Sequence, residues 1–434
     1  MMKKLSAFIL LITMLVGLVS CSDDNQEKTD ESVIEDQLIG TWSGAIEVPD
    51  TPLNIIIEFH KQDELAGSIS IPIQNVSEYP LTGLSFEEGI YFRMDLPGQK
   101  IRFEGDWVDD GRIEGTFTQQ GQSFPFYLER GSLANDGHEE EDATFLSVET
   151  AYGELEGELL SPDSEGPHPI ALIIPGSGPT DRNGNSAAMP GENDSLKLLA
   201  EGLAEQGIAS LRYSKRGAAE NQDAVIAERD IRFENFVNDA KAWIDLLHED
   251  ERFSDVHIIG HSQGSLVGML AAQEAGADRI ISIAGAGKPM DEVLLEQLQD
   301  QLSGDLLEEA ENILAKLKQG EVVGEVSTEL QNVFRPDIQP FLASWIAYNP
   351  AEVIAQLEQP VLIIQGGRDL QVPKAHAAYL KHAQSGAETM IISKMNHVLK
   401  EAPEDPTGNM QTYSDPELPL ADGLMQGIVE FLTK

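Results

Sequence analysis

The sequence predicts a two-part α/β protein: a doubly wound, mostly parallel sheet with helices on both faces over residues 144–434, preceded by a small all-β domain over 36–131. Three observations predict it. From residue 144 onward, buried-type strand runs alternate with amphipathic helical stretches. Across 36–131, short β-rich runs are separated by turn signals and no helical period interrupts them. Between the two, 132–143 is acidic and poor in apolar residues, the composition of a linker. At 434 residues with 41% hydrophobic content, the chain has enough material for two cores and a tether.

The first segment reads as an address. Lys3 and Lys4 precede an apolar run from Leu5 to Val19, so residues 1–20 have the layout of an export signal. Leu18-Val19-Ser20-Cys21 resembles the lipobox of bacterial lipoproteins. That resemblance implies cleavage before Cys21, lipid on its sulfur, and an exported protein anchored to a membrane of the cell envelope. Residues 21–35 then serve as a polar tether, and Ser22-Asp23-Asp24-Asn25 resembles an acidic surface-export tag. Cys21 is the sole cysteine, so no intramolecular disulfide forms. Lys and Arg total 29 against 74 Asp and Glu, a net charge of −45. Such a surface repels phosphate backbones and argues against nucleic acid as a partner.

In the β domain, runs such as Leu53–Phe59, Ile90–Met94, Lys100–Gly105 and Arg112–Phe117 are set apart by turns such as Leu96-Pro97-Gly98, Asp109-Asp110-Gly111 and Gln120-Gly121-Gln122. The pattern predicts an antiparallel barrel or sandwich. Its opening, Gly40-Thr41-Trp42-Ser43-Gly44, resembles the first strand of lipocalin-like barrels, and Trp42 reads as core.

In the larger domain, strands are expected at Pro169–Ile174, Ile208–Tyr213, Val256–Ile259, Ile280–Ile283, Val361–Ile364 and Thr389–Ile392. Helices are expected at Leu196–Gln206, Phe233–His248 and Leu424–Leu432. Over 288–357 the alternation stops and helical stretches, including Asp291–Leu302 and Asp305–Lys318, suggest a lid.

Gly260-His261-Ser262-Gln263-Gly264 lies between the strand Val256–Ile259 and an apolar helix. In that context G-x-S-x-G is a nucleophile elbow: the serine occupies a sharp, strained turn, and the glycines keep neighbouring backbone clear. Ser262 is therefore the candidate nucleophile. It needs a base, and His397, just past the last strand, is the best placed. His376 and His382 fall on different faces of one helix, and the remaining histidines lie inside the elbow, within the strand or away from the sheet ends. The base needs an orienting carboxylate, and Asp369 follows the glycine-rich turn Gln365-Gly366-Gly367-Arg368, with Asp291 as the alternative. The oxyanion donors are expected at the Gln263 N–H and in the loop Pro175–Asn185, at Ser177 or next at Gly178.

Pro175-Gly-Ser-Gly-Pro-Thr-Asp-Arg-Asn-Gly, Arg212-Tyr-Ser-Lys-Arg-Gly, Gly-His-Ser-Gln-Gly, Gly366-Gly-Arg-Asp and Asn396-His397 together resemble the α/β-hydrolase superfamily, closest to bacterial carboxylesterases of the dienelactone-hydrolase and serine-aminopeptidase-like branch. Pro175 stands where many relatives have histidine, and Arg216-Gly217-Ala218-Ala219-Glu220 departs from the usual Arg-Gly-x-Gly-x-Ser. The resemblance implies hydrolysis of a small-molecule ester by a Ser262–Asp369–His397 triad. The alternatives are peptidase or amidase chemistry on the same residues, acyl transfer to another acceptor, and a surface binding lipoprotein. Trp345, Phe341 and Tyr348 either line an acyl pocket or pack the lid. No H-E-x-x-H, cysteine cluster or P-loop calls for a metal or organic cofactor.

Overall fold

The computed structural model describes residues 38–48, 53–61, 65–71, 76–85, 89–96, 99–109, 111–119, 122–130, 143–164, 166–186, 191–299 and 302–434. The expected export signal, Cys21, the expected tether and all but the last residue of the expected linker lie outside them. The described residues fall into two compact units, one ending at Arg130 and one beginning at Ala143. Among them no helix is long and apolar enough to cross a membrane.

The first unit is one antiparallel sheet. Its strands are β1 (Gly40–Ile46), β2 (Leu53–Lys61), β3 (Leu65–Ile71), β4 (Val76–Pro80), β5 (Thr82–Ser85), β6 (Ile90–Leu96), β7 (Gln99–Asp109), β8 (Arg112–Gln119) and β9 (Gln122–Arg130). Their order in the sheet is β4-β3-β2-β1-β9-β8-β7-β6-β5. The first strand pairs with the last, and the two end strands follow one another in the chain across Leu81, so the sheet is nearly barrel-like. Period-2 patterning buries Ile55, Ile57 and Phe59 of β2 and Ile101 and Phe103 of β7. They meet Phe92 and Phe126, and each such side chain contributes about 1.5–3 kcal/mol by leaving water. Trp42 belongs to this core: it is fully buried, and its indole N–H donates to the Leu38 carbonyl at 2.8 Å.

The second unit begins with the hairpin β10 (Thr144–Thr150) and β11 (Gly153–Leu160), which were not among the expected strands. Glu154 and Glu156 of β11 are exposed, whereas Glu158 is buried against Arg182 and Arg212, and β10 forms the edge of the sheet. Then come β12 (His168–Ile174), α1 (Ser195–Glu205), β13 (Ala209–Tyr213), α2 (Phe233–Glu249), β14 (Phe253–His261), α3 (Gln263–Ala275) and β15 (Arg279–Ile283). Helices α4 (Met290–Gln299), α5 (Asp305–Leu317), α6 (Gln331–Phe334), α7 (Gln339–Ile346) and α8 (Pro350–Ala355) separate β15 from β16 (Val361–Gly366). The chain ends with α9 (Ala375–Ala383), β17 (Glu388–Ile392), α10 (Pro406–Gln411) and α11 (Leu424–Leu432).

The sheet order is β10-β11-β13-β12-β14-β15-β16-β17, antiparallel at β10–β11–β13 and parallel from β13 onward. Alternation along each strand feeds two cores. Ile170, Leu172 and Ile174 face one side with α2, α3, α8 and α9, while Ala171 and Ile173 face α1 and α11 on the other. This is the doubly wound, mostly parallel arrangement of the α/β-hydrolase fold. The helices between β15 and β16 carry a small core of their own, including Leu314, Phe334, Leu342 and Ile346. Gln339 within it is fully buried and satisfied by the Val323 and Phe334 backbone.

Candidate active site

Because β12 to β17 run parallel, the loops leaving them emerge along one edge of the sheet. Ser262 stands between β14 and α3, Asp369 follows β16, and His397 follows β17. The sequence-expected residues thus share an edge although they span much of the domain.

Ser262 is half-buried, with φ 54° and ψ −118°, in the left-handed region that costs a side chain about 1–3 kcal/mol. Its amide donates to the Ile283 carbonyl on β15 at 2.9 Å, which holds the bend. The flanking glycines are steric requirements. A Cβ at Gly260 would lie 2.3 Å from the Gly264 carbonyl oxygen, and one at Gly264 would lie 2.3 Å from that of Ile174. The N-terminus of α3 begins at Gln263, so its dipole favours negative charge beside Ser262.

Nδ1 of His397 is 2.9 Å from Oδ2 of Asp369, and both residues are buried. Asp369 Oδ2 also accepts from Gln365 Nε2 at 2.9 Å, and Oδ1 accepts from the amides of Gln371 and Val372, each at 2.8 Å. Burial works to raise the Asp369 carboxyl, but the adjacent His397 and these hydrogen bonds outweigh it and hold the group below its ordinary value. Asp291, the alternative acid, pairs instead with Lys318 at 2.7 Å. Asn396 braces the histidine loop: its amide donates to Thr412 Oγ1 at 2.7 Å and to Asn409 Oδ1 at 3.2 Å.

The loop after β12 passes over the elbow. A Cβ on Gly176 would stand 3.4 Å from the Ser262 Cβ, while Ser177 and Gly178 are exposed. Asp181 organises the loop by accepting from the amides of Asn183 at 2.9 Å and Asn185 at 2.8 Å, and burial pushes its carboxyl up to about 6. Arg182 reaches Glu158 at 2.7 Å and Glu220 at 2.8 Å, tying this loop to the one after β13.

Three contributors escaped the sequence reading. His261 donates from Nε2 to the His397 carbonyl at 2.8 Å. Gln365 bridges Asp369 to the Val372 carbonyl at 2.8 Å. Lys215, inside the Arg212-Tyr-Ser-Lys-Arg-Gly segment already singled out, reaches the elbow itself. Phe341 and Trp345 of α7 pack on α2, with Phe236–Phe341 centroids 5.9 Å apart and Phe233–Trp345 stacked at 5.5 Å. The Tyr348 hydroxyl donates to Glu234 at 2.9 Å. These three aromatics therefore pack the helical segment onto the sheet domain. Among the described residues no group of three or more His, Cys, Asp or Glu is placed to hold a metal ion.

Residues 193–333 match the model of the Hydrolase_4 family, serine aminopeptidase S33. Esterase EstD of Thermotoga maritima is 29% identical over 304 residues, covering 67% of each chain. Among solved structures, Est1E from Butyrivibrio proteoclasticus aligns at 18% identity and TM-score 0.44, over 67% of this chain and 99% of its own. The esterase domain of a Rhodothermus marinus protein aligns at 17% identity and TM-score 0.39, over 63% and 93%. Residues 143–434 have the α/β-hydrolase fold; within them 193–333 match the S33 family model, and the chain is similar to Esterase EstD.

Proposed function

We propose that the protein cleaves small-molecule carboxylic esters through an acyl-enzyme on Ser262. The protein is an enzyme of the carboxylesterase-type hydrolases, a class supported by the similarity to Esterase EstD and by the S33 family match. The observation that carries the reading is the buried His397–Asp369 bond of 2.9 Å on the same sheet edge as the strained Ser262.

In this mechanism His397 takes the Ser262 proton as the hydroxyl oxygen attacks the ester carbonyl. Asp369 fixes the ring with Nδ1 protonated, leaves Nε2 as the base, and stabilises the imidazolium. The tetrahedral oxyanion is held by the N–H groups of Gln263 and Ser177, each worth about 3 kcal/mol. Collapse returns the proton from His397 to the leaving alcohol. Water, deprotonated by the same ring, then releases the acid. The helices over 288–357 act as a lid that sets the size of the acyl group. Turnover of p-nitrophenyl esters of rising chain length tests the reading, and retained turnover in Ser262→Ala would overturn it.

A second reading, peptidase or amidase activity on the same residues, is favoured by the family model matched over 193–333. An aminoacyl p-nitroanilide turned over faster than p-nitrophenyl acetate would select it. The lipobox-like Leu18-Val19-Ser20-Cys21 supports lipid anchoring at the cell envelope, and release of Cys21→Ala from the membrane fraction is the expected outcome.

A further inference from the structure

Lys215 is an unusual lysine. It is 6% exposed, and among the described residues its ammonium has no carboxylate partner, because neighbouring Asp239 is engaged by Arg216 with Nε–Oδ2 2.8 Å. Burial pulls its ammonium down to about 7, against the opposing pull of Asp239. Nζ instead donates to Gln263 Oε1 at 2.6 Å and to the Gly176 carbonyl at 3.1 Å, and it lies 4.0 Å from the centroid of the Phe236 ring. The Lys215 amide donates to the Thr180 carbonyl at 3.0 Å, so its backbone is tied to the same loop.

Both acceptors adjoin the proposed oxyanion donors, one in the Gly176–Ser177 peptide and one on the Gln263 side chain. The Gly176 carbonyl and the Ser177 N–H share one rigid trans peptide and point in opposite directions. Pulling the oxygen toward Lys215 aims the N–H away from it. One of the two torsions about which that peptide turns belongs to Gly176, which has no side chain, so the local sequence resists its rotation little. A fixed donor on the Gly176 oxygen is what prevents that peptide from turning over. The same ammonium holds the side chain of Gln263, whose backbone supplies the other donor.

We infer that Lys215 is a positioning residue of the oxyanion hole, locking the Gly176–Ser177 peptide and Gln263 in the orientation that receives the tetrahedral oxygen. This rests on the ester-hydrolase reading above. Lys215→Met preserves the stem and removes the donors. It should lower kcat by about tenfold to a hundredfold while KM for a p-nitrophenyl ester stays within about twofold. Affinity for a trifluoromethyl ketone, which forms the tetrahedral oxyanion on Ser262, should fall by the same factor as kcat/KM. A purely structural role would lower Tm and active fraction with ketone affinity unchanged, and that result overturns the inference. So does an unchanged kcat. Gln263→Leu, measured alongside, keeps the backbone donor but breaks one of the two contacts. It should reproduce part of the loss in kcat and ketone affinity, and wild-type values for both would overturn the inference even if Lys215→Met does not fold. Turnover that survives Ser262→Ala would instead defeat the hydrolase reading, whereas Ser262-dependent turnover with Lys215→Met equal to wild type defeats the lysine inference alone.

Discussion

His261, the residue before the candidate nucleophile, donates from Nε2 to the backbone carbonyl of His397, the candidate base, at 2.8 Å. The elbow and the histidine loop are thus joined directly, with the two rings 5.0 Å apart. Burial, together with the neighbouring His397, pulls His261 down to about 4. It is therefore neutral in the folded protein at the pH where it must donate.

That shift makes His261 a source of acid sensitivity. The unfolded chain protonates it near pH 6.5, whereas the folded protein does so only near 4. Between those values the unfolded state binds the extra proton, so stability falls as pH falls, by up to ~3 kcal/mol. Above pH 6.5 the effect vanishes. His261→Gln should flatten the fall in unfolding free energy between pH 6.5 and 4, as read by denaturant titration. An unchanged slope would refute the assignment.

Asp369 is expected to act on rate. Asp369→Asn leaves an amide beside His397 and removes the carboxylate that fixes its tautomer, so kcat for ester hydrolysis should drop by about three to four orders of magnitude near neutral pH. The depressed carboxyl also contributes stability that is present above its unfolded value of about 4 and lost as pH falls through the lower folded value. The variant should therefore be less stable than wild type near pH 7, with the gap closing in acid. A kcat within tenfold of wild type would remove Asp369 from the mechanism.

Gly264 tests the elbow sterically. Its Cβ would meet the Ile174 carbonyl oxygen at 2.3 Å, and backbone cannot swing aside as a side chain can. Gly264→Ala should cost about 1–3 kcal/mol and displace Ser262 enough to depress kcat in whatever folds. Gly324, whose Cβ would meet nothing within 4 Å, is the control. Its alanine variant should stay within about 0.5 kcal/mol of wild type. Equal effects from both variants in thermal melts and turnover would contradict the argument.

What the sequence disclosed and what it hid follow from the range of the interactions. Ser262 was legible because the elbow is a local demand, imposed by two glycines and the strand and helix on either side. His397 and Asp369 were legible as loop residues after strands, and the parallel sheet brings their side chains together. Lys215 was not, because a lysine is solvated by default and this one acquires its partners from Gly176 and Gln263, 39 and 48 residues away. The β10–β11 hairpin was missed although a local alternation was present: exposed Glu154 and Glu156 resemble a loop, and the pairing with β13 that fixes β11 in the sheet lies far along the chain.

Arg216 and Asp239 form a bidentate pair in which both side chains are nearly inaccessible. Arg216 further donates to the Ala224 carbonyl at 3.0 Å, so its guanidinium is committed to this interior site. Burial raises the Asp239 carboxyl above its ordinary value, with the arginine pulling against it. Asp239→Asn would leave the guanidinium buried without its counter-charge, a cost of about 3–5 kcal/mol. The damage should extend beyond stability. Arg216 follows Lys215 directly, so relaxation of the pair shifts the segment that reaches Gly176 and Gln263. Unfolding free energy and kcat should therefore fall together in Asp239→Asn. A variant as stable as wild type would show that water reaches the pair, and a destabilised variant with full kcat would uncouple it from the elbow.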